Sequence, residues 1–222
     1  MFKGILAGAT LATVVLSGAA TAATLNVESY DMLNGAHGSF NYRDFTYTPC
    51  NGVCDVTGAA LSGGEGKLTD GVSPTSSWFA QGTATEWVGW DSNAGLLNPT
   101  VTFNFASLSN ITAVTVWVDN ANTGGVSLPG SVRIGSSTFN IDFDGVNNGP
   151  RGYTFSGLDI NASSVEVQFN QRAGYSWLMV GEVTFEGTSG LVPEPGTWAL
   201  MLTGFGGLGA MLRRRRALAA EV

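Results

Sequence analysis

The chain has 222 residues, of which 44% are hydrophobic, only 12% are charged and 31 are glycine. This composition is typical of a β-rich domain with many tight turns. It excludes a disordered acidic chain, because the apolar residues can fill a core. Residues 24–188 hold five basic and fifteen acidic residues, a balance of −10. This excess of carboxylates argues against a nucleic-acid partner and is compatible with a bound divalent cation.

The N-terminus has the three parts of a secretory signal peptide. Lys3 supplies the positive charge, an apolar run covers residues 4–15, and small residues follow as far as Ala23. Signal peptidases accept small side chains before the cleaved bond, so we expect cleavage after Ala22 or Ala23. Residues 1–23 are therefore assigned to a signal peptide with a helical apolar segment. A membrane anchor is the alternative, but the apolar run is short for one.

The C-terminus carries a Pro-Glu-Pro motif, an apolar segment and a basic tail. The motif is Pro193, Glu194 and Pro195 in a linker of residues 189–196; an apolar helix is expected over 197–212, and four consecutive arginines begin the tail at 213–222. Arginine clusters stay on the cytoplasmic side of a membrane, which would leave the main domain outside. By themselves these residues are also compatible with an ordinary tail anchor.

The three parts, in this order, resemble the PEP-CTERM sorting signal of Gram-negative bacteria. The resemblance implies that an exosortase, a transpeptidase-like membrane protease, recognises the tail and cuts near the motif. It also implies transient insertion into the inner membrane, followed by delivery to the cell surface or to the exopolysaccharide matrix of a biofilm. It covers only the C-terminal segment and does not describe the domain that is sorted.

Short alternating segments separated by turn residues predict an all-β domain over residues 24–188. Strands are expected at residues 87–90, 101–105, 111–118, 131–134, 137–143, 165–169 and 179–185. Val101, Phe103 and Phe105 fall on one face of their strand, as do the valines at 114, 116 and 118, so both sets should face a core. No segment of the domain has a convincing helical period, and the pattern favours a β-sandwich jelly roll.

Several short motifs follow one another in this domain. They are Leu68-Thr69-Asp70-Gly71, Trp87-Val88-Gly89-Trp90-Asp91, Pro129-Gly130-Ser131-Val132 and Trp177-Leu178-Met179-Val180-Gly181-Glu182-Val183. Their order resembles the galactose-binding-domain-like jelly roll of discoidin (coagulation factor 5/8 type C) domains and carbohydrate-binding modules. The resemblance implies an exported module that binds carbohydrate or serves adhesion. A displayed structural scaffold without a sugar ligand is the alternative.

The same resemblance implies a structural calcium site. In this fold an Asp-Gly loop near the start of the domain and a glutamate near its end meet at the metal, and backbone carbonyls complete the shell. The matching positions are the Lys67 carbonyl, Asp70, Thr75 and Glu182. Calcium takes about six to eight oxygen ligands, so two carboxylates with several carbonyls suit it. Alternatively, Asp70 caps a turn and Glu182 is a solvated strand residue.

Tryptophan is abundant in the domain, at positions 78, 87, 90, 117 and 177. Core packing is the expected role of most of these rings. Trp117 lies opposite the three-valine face of its strand and is the one most expected to contact a ligand. The resemblance places ligands at loops on one end of the sandwich. Residues 34–41 and 170–176 are candidate loops, and they carry His37, Arg172 and Tyr175.

The chain has two cysteines, Cys50 and Cys54, with Asn51-Gly52 between them to make a turn. Outside the cytoplasm a disulfide is their expected state. It would close a very short loop and stabilise the fold only modestly. Two cysteines alone provide too few ligands for a metal site.

Residues with an obvious catalytic role are scarce. His37 is the only histidine, and no nucleophile elbow or zinc-protease motif occurs in the sequence. Asp142 and Asp144 would share a face of a strand and could serve a glycoside hydrolase, although the residues from 144 to 149 have the composition of a turn. We therefore expect no enzyme activity, with a secreted glycoside hydrolase as the less favoured alternative.

Overall fold

A computed structural model gives the fold of the protein and describes residues 23–80, 86–143, 145, 149–190, 200–209 and 213. Several features predicted from the sequence lie outside these residues. They are the signal peptide as far as residue 22, the motif formed by Pro193, Glu194 and Pro195, the basic tail from residue 214 onward, and Asp144.

Between residues 23 and 190 the described chain is built mainly of antiparallel strands, so the all-β prediction is confirmed. The strands are β1 (Ala23–Leu25), β2 (Ser29–Leu33), β3 (Ala60–Gly64), β4 (Val88–Asp91), β5 (Thr100–Asp119), β6 (Ser131–Ile134), β7 (Ser137–Asn140), β8 (Pro150–Asn170) and β9 (Trp177–Ser189). Two short 3-10 turns, Trp78–Ala80 and Ser92–Ala94, interrupt the loops between them.

β5 is one long strand that covers two segments predicted as separate strands. The predicted strands at 101–105 and 111–118 form one strand, with register shifts between Asn104 and Ser109 and again between Ile111 and Ala113. The first half of β5 pairs with β2 and the second half with β9, while β8 accompanies both. Bulges bend a strand, so β5 and β8 pass from one layer of the sandwich into the other.

Aromatic side chains fill the space between the two layers. The ring centroids of Phe103 on β5 and Phe185 on β9 lie 4.9 Å apart, and both side chains are fully buried. Trp90 and Phe169 stack at 6.3 Å in the same core. The predicted core faces of β5 are confirmed, since Val101, Phe103, Phe105, Val114, Val116 and Val118 are all buried. Each such burial contributes about 1.5–3 kcal/mol, which favours the sandwich over alternatives that expose these faces.

The strand predicted to reach residue 143 ends earlier, at Asn140. There the chain turns out of the sheet, and the N–H of Ile141 donates to the carbonyl of Gly130 at 3.0 Å. Ile141 stays buried, but Phe143 is 42% exposed and does not share its environment. The apolar alternation at 139, 141 and 143 therefore does not mark a single strand, because residues 141 and 143 lie in a loop after the end of β7.

Residues 200–209 form a helix, which agrees with the helix predicted for the apolar C-terminal segment. Its side chains are exposed, including Leu200, Leu202 and Phe205. Among the residues described, no helix combines the length and the apolar character needed to cross a membrane. Membrane insertion of residues 197–212 therefore remains a prediction.

Candidate ligand-binding cleft

Residues from four separated stretches of the chain meet where β9 begins. They enclose a cleft of about 240 Å³, which we call the aromatic cleft; it is lined by Gly38, Ser39, Tyr42, Trp78, Gly124, Val126, Trp177 and Met179. The loop before β9 is tied to the loop after β5, because the N–H groups of Ser176 and Trp177 both donate to the carbonyl of Gly125, at 3.0 and 2.9 Å.

Three aromatic rings form the walls of the cleft. The ring of Tyr42 lies 5.4 Å from that of Trp177 and 6.3 Å from that of Trp78, edge to face in both pairs. Tyr42 is buried, whereas the two indoles are only partly buried and so present surface to solvent. Such aromatic pairs contribute about 0.5–1.5 kcal/mol beyond the burial of their area, so the indoles are held in place before any ligand arrives.

Glycines bring loop backbone directly against these indoles. A β-carbon on Gly124 would stand 2.5 Å from Cζ2 of Trp78, a distance that real side chains do not reach. Gly124 also has a φ of 61°, where residues with side chains are strained. Gly38 stands in the same close relation to Trp177. Side chains at these two positions would displace the walls of the cleft.

Asp119, at the end of β5, lies beneath the cleft. It is fully buried, and its Oδ2 accepts a hydrogen bond from the backbone N–H of Trp78 at 2.5 Å. Burial raises the pKa of Asp119 to about 6, although the amides of Trp78 and Ala121 act in the opposite direction. Burial, and next the negative charge of Asp119, raise the pKa of Tyr42.

Three buried polar atoms around this floor have no hydrogen-bond partner within the part of the chain that the structure describes. They are Oδ1 of Asp119, the hydroxyl of Tyr42 and Nε1 of Trp78. Unpartnered buried polar atoms are rare in folded proteins and are costly, so they indicate places where an ordered water or a ligand group binds. The floor of the cleft can therefore both donate and accept hydrogen bonds.

A pair of carboxyl groups forms a second cluster, where β9 passes the loop that follows β3. The Asp70 and Glu182 side chains lie close enough for the charge of Asp70 to act on Glu182, and the N–H of Gly71 donates to Oε1 of Glu182 at 3.3 Å. Glu182 is 3% exposed, and its Oε2 and the hydroxyl of Thr69 are buried without a partner among the described residues. Glu182 and Thr69 line a cavity of about 200 Å³, whereas Asp70 is not among its lining residues.

The pKa values of Asp70 and Glu182 are both raised. Burial, followed by the charge of Asp70, raises the pKa of Glu182 to about 8. Burial is also the main cause that raises the pKa of Asp70. Two such groups do not both ionise at low cost unless a cation lies between them. The donor set of two carboxylates, with one free buried oxygen, fits a hard cation such as calcium.

Lys67 lies close to this pair but is engaged with another acid. Its backbone N–H donates to both carboxylate oxygens of Asp44 at 3.2 Å, and Asp44 is fully buried. The Lys67 ammonium lies 3.9 Å from the centroid of the Phe45 ring. Burial lowers its pKa to about 8, while the charges of Asp44 and Asp70 act against that shift.

Thr75 is held by a different carboxylate. Its N–H donates to Oε2 of Glu86 at 2.7 Å, and its hydroxyl lies 3.2 Å from Oε1 of the same residue. The structure thus brings Asp70 and Glu182 together, whereas the side chain of Thr75 contacts Glu86 instead of this pair. Within the described part of the chain, no three His, Cys, Asp or Glu side chains form a cluster that could hold a metal.

A family model for the DS-like domain of discoidin domain-containing receptors 1 and 2 matches residues 26–187. The chain belongs to this discoidin-like family. A second model, for the PEP-CTERM protein-sorting motif, matches residues 191–216. The predicted jelly roll and the predicted sorting signal are both confirmed, and the protein is marked for export and surface sorting. No curated protein matches the chain.

Solved structures similar to the discoidin-like domain include carbohydrate-binding modules. Truncated AlyQ with CBM32 and alginate lyase domains matches at 12% identity and a TM-score of 0.42, over 78% of this chain and 35% of that chain. This chain thus spans about a third of that protein. The CBM32 of AlyQ in complex with 4,5-unsaturated mannuronic acid matches at 13% and 0.40, over 73% and 97%. An F5/8 type C domain from Bacteroides fragilis matches at 12% and 0.37, over 55% and 80%.

Two of the predicted ligand-binding residues of the discoidin-like domain lie together around Phe143. The Nη2 of Arg172 donates to the carbonyls of Pro129 and Ile141, at 3.2 and 2.7 Å, and its guanidinium lies 5.0 Å from the Phe143 ring. Tyr175 packs on the same ring, at 6.0 Å between centroids. In this arrangement Arg172 joins the end of β7 to the loop before β9.

The other two predicted ligand-binding residues lie apart from this group. His37 is exposed and precedes Gly38 in sequence, but it is not among the residues that line the cleft. Trp117 is half-buried on β5, and its ring lies against Gly152 on β8, where a β-carbon would stand 3.2 Å away. Trp117 is not among the residues that line the aromatic cleft.

Of the residues that line the cleft, Gly38 and Ser39 lie in the predicted ligand loop 34–41, but the aromatic walls were not predicted to bind a ligand. Trp78 and Trp177 were expected to pack in the core, and Tyr42 and Asp119 were not predicted as site residues. By contrast, Trp87 and Trp90 are fully buried, as expected for core residues, and their indole N–H groups donate to backbone carbonyls.

The remaining predicted residues are placed as follows. Cys50 and Cys54 are joined in a disulfide, and Cys54 is part of the main hydrophobic core. Asp142 is exposed beyond the end of β7, and Asp144 lies outside the described residues.

Proposed function

We propose that the discoidin-like domain is a non-catalytic module that binds glycans in the aromatic cleft at the cell surface or in the exopolysaccharide matrix. The observation that carries this proposal is the convergence of Trp78 and Trp177 on Tyr42 above a polar floor. Sugars present apolar C–H faces and polar hydroxyl edges, so a site with aromatic walls and unpartnered polar atoms suits them.

The sorting motif supplies the route to that location. The match over residues 191–216 supports recognition by an exosortase, with transient insertion of the apolar segment into the inner membrane. The exosortase would process the tail. Outside the cell, the partner of the domain would then be a polysaccharide.

β9 separates the binding end of the domain from the sorted end. Trp177, its first residue, lines the cleft, and Ser189, its last residue, lies just before the sorting motif. At about 3.3 Å per residue the two positions are at most about 40 Å apart along the strand. Anchoring through the tail would therefore leave the cleft facing away from the membrane.

The charges around the cleft favour binding over hydrolysis. Glycoside hydrolases place two carboxyl groups about 5–9.5 Å apart on either side of the scissile bond. Of the lining residues that the structure describes, none has a carboxylate, and Asp119 is buried beneath them. Release of reducing ends that is lost in Asp142→Asn would instead support the hydrolase alternative.

We further propose that Asp70 and Glu182 hold a structural calcium ion. Calcium would offset the repulsion between the two carboxylates and would satisfy the unpartnered Oε2 of Glu182. Backbone carbonyls of the 67–75 loop, including those of Lys67 and Thr75, would complete its coordination. The ion would fasten this loop to β9 and would take no part in glycan binding.

Glycan-array binding by the purified full chain tests the proposed site. Trp177→Ala and Trp78→Ala each remove one wall of the cleft, and Trp117→Ala removes an indole from outside it. We expect signals to fall at least about tenfold in the two cleft variants, the effect typical of an aromatic hot spot, and to persist in Trp117→Ala. Signals lost only in Trp117→Ala would move the site to the outer face of β5. No signal on any glycan would favour a displayed scaffold.

A further inference from the structure

The aromatic cleft is uncharged along its walls and acidic beneath them. In the part of the chain that the structure describes, the lining residues are glycine, serine, valine, methionine and aromatic residues. Asp119 supplies the charge near these walls. Its carboxylate accepts a hydrogen bond from the backbone N–H of Trp78, and its charge helps to raise the pKa of Tyr42. A ligand in the cleft thus meets neutral surface above a buried acid.

Two arginines lie near cleft residues in sequence, and each donates to acceptors of the protein itself. Arg43 follows Tyr42, but its Nε donates to Oδ1 of Asn41 at 2.8 Å and its guanidinium lies 3.7 Å from the carboxylate of Asp55. The Nη2 of Arg172 donates to the backbone carbonyls of Pro129 and Ile141, while its Nε is buried with no hydrogen-bond partner in the described part of the chain. Neither arginine is among the described residues that line the cleft, so neither faces an anion bound there.

The unpartnered atoms of the floor also discriminate between ligand groups. Oδ1 of Asp119 needs a donor, Nε1 of Trp78 needs an acceptor, and the hydroxyl of Tyr42 takes either. A sugar hydroxyl, or a water that it orders, can both donate and accept. The carboxylate of a uronic acid can only accept, and it would bring a second negative charge close to a buried one.

We infer that the aromatic cleft selects neutral, hydroxyl-rich glycans and rejects uronate-bearing ones, an inference that rests on the proposed function. The balance of −10 over residues 24–188 acts in the same direction, because an acidic domain repels an acidic polymer before contact. The ligand is then a neutral hexose polymer or a neutral arm of a mixed polysaccharide.

Matched pairs of oligosaccharides test this selection. Each pair consists of a neutral oligomer and its C6-oxidised counterpart of equal length, such as galacto-oligosaccharide with oligogalacturonate and gluco-oligosaccharide with oligoglucuronate. Titration calorimetry with the purified full chain, at low and at physiological salt, gives the two affinities. We expect the neutral member of the bound pair to bind at least tenfold more tightly, and the weaker acidic member to gain affinity as salt is added.

Trp177→Ala separates the two ways in which the inference can fail. Neutral oligomers that bind more tightly, and that lose binding in Trp177→Ala, support both the site and the selection. Acidic oligomers that bind as tightly or more tightly, and still depend on Trp177, overturn the selection and leave glycan binding in place. Absence of binding to every pair overturns both. Because the comparison is made on the unaltered chain, a variant that fails to fold does not obscure the preference.

Discussion

A β-carbon built on Gly38 would stand 2.8 Å from Cζ2 of Trp177, closer than side chains approach one another in folded proteins. The indole also lies 5.4 Å from the ring of Tyr42, whose Cε2 would stand 3.3 Å from the same β-carbon. The indole is therefore packed against both loop backbone and a buried tyrosine. This single contact fixes one wall of the aromatic cleft.

Gly38→Ala should weaken glycan binding while leaving the fold intact. The added methyl group must displace the Trp177 ring, because the loop backbone on the other side of Gly38 is fixed by its hydrogen bond to the Phe40 carbonyl. We expect a loss of about 1 kcal/mol, roughly fivefold in affinity, by titration calorimetry. Gly130→Ala is the matched control, since its β-carbon would meet its nearest atom at an ordinary 3.7 Å. Equal affinities for both variants would show that the position of Trp177 does not matter to the ligand.

Asp119 should make the stability of the domain fall as pH rises from about 4 to about 6. Burial raises its pKa to about 6 from an ordinary value of 3.8, so the folded state keeps a proton that the unfolded chain has already released. The stabilisation is complete below the lower value and is lost as pH rises through the higher one. For one proton the slope is at most about 1.4 kcal/mol per pH unit.

Chemical denaturation at a series of pH values measures this slope. Asp119→Asn should make the slope between about pH 4 and about pH 6 shallower, because an amide does not titrate and still accepts the hydrogen bond from Trp78, while the part caused by the raised pKa of Glu182 should remain and extend to about pH 8. Asp142→Asn, which changes an exposed aspartate, should keep the slope of the unaltered chain. A slope over that range that is equally steep in Asp119→Asn and in the unaltered chain would show that Asp119 does not cause it.

Regular alternation made the central strands predictable. On β5 a buried face of valine and phenylalanine contrasts with polar neighbours, and the structure buries Val101, Phe103 and Phe105 as expected. β2 and β3 were not predicted. Their sequences, SYDML and ALSGG, contain no β-branched residue, and ALSGG ends in two glycines. They become strands because β5 offers an edge that pairs with β2, and β2 in turn pairs with β3.

The aromatic cleft could not be predicted from the sequence for a different reason. Its walls come from residues 42, 78 and 177, which are brought together only by the long strands and by loop contacts such as that of Gly125 with Trp177. A tryptophan that lines a cleft cannot be distinguished from a core tryptophan by the sequence pattern alone. The one local signal was Gly124-Gly125 in a loop, because glycine is required where backbone lies against a ring.

Calcium should raise the melting temperature of the chain through Asp70 and Glu182. An ion that binds only the folded state stabilises it by mass action, by about 2.7 kcal/mol at a hundredfold excess over the dissociation constant. Addition of a chelator should lower the melting temperature, and calcium should restore it. In Glu182→Gln the response should be absent, while Glu186→Gln, an exposed position on the same strand, should respond like the parent chain. An unchanged melting temperature in the parent chain would remove both acids as calcium ligands.

The separation of Trp177 and Ser189 along β9 predicts that attachment through the tail leaves glycan binding unaffected. β1 pairs with β9 at the same end, where Ala23 lies opposite Gly187, so both ends of the domain are remote from the cleft. The chain immobilised through its C-terminal tail should bind glycan with the affinity that it has in solution. His37→Cys, coupled through the new thiol one residue before the lining residue Gly38, should lose binding, because the support then lies on the cleft side of the domain. Reduced affinity in the tail-attached chain would mean that the ligand also contacts the sorted end, and the cleft would then be only part of the binding site.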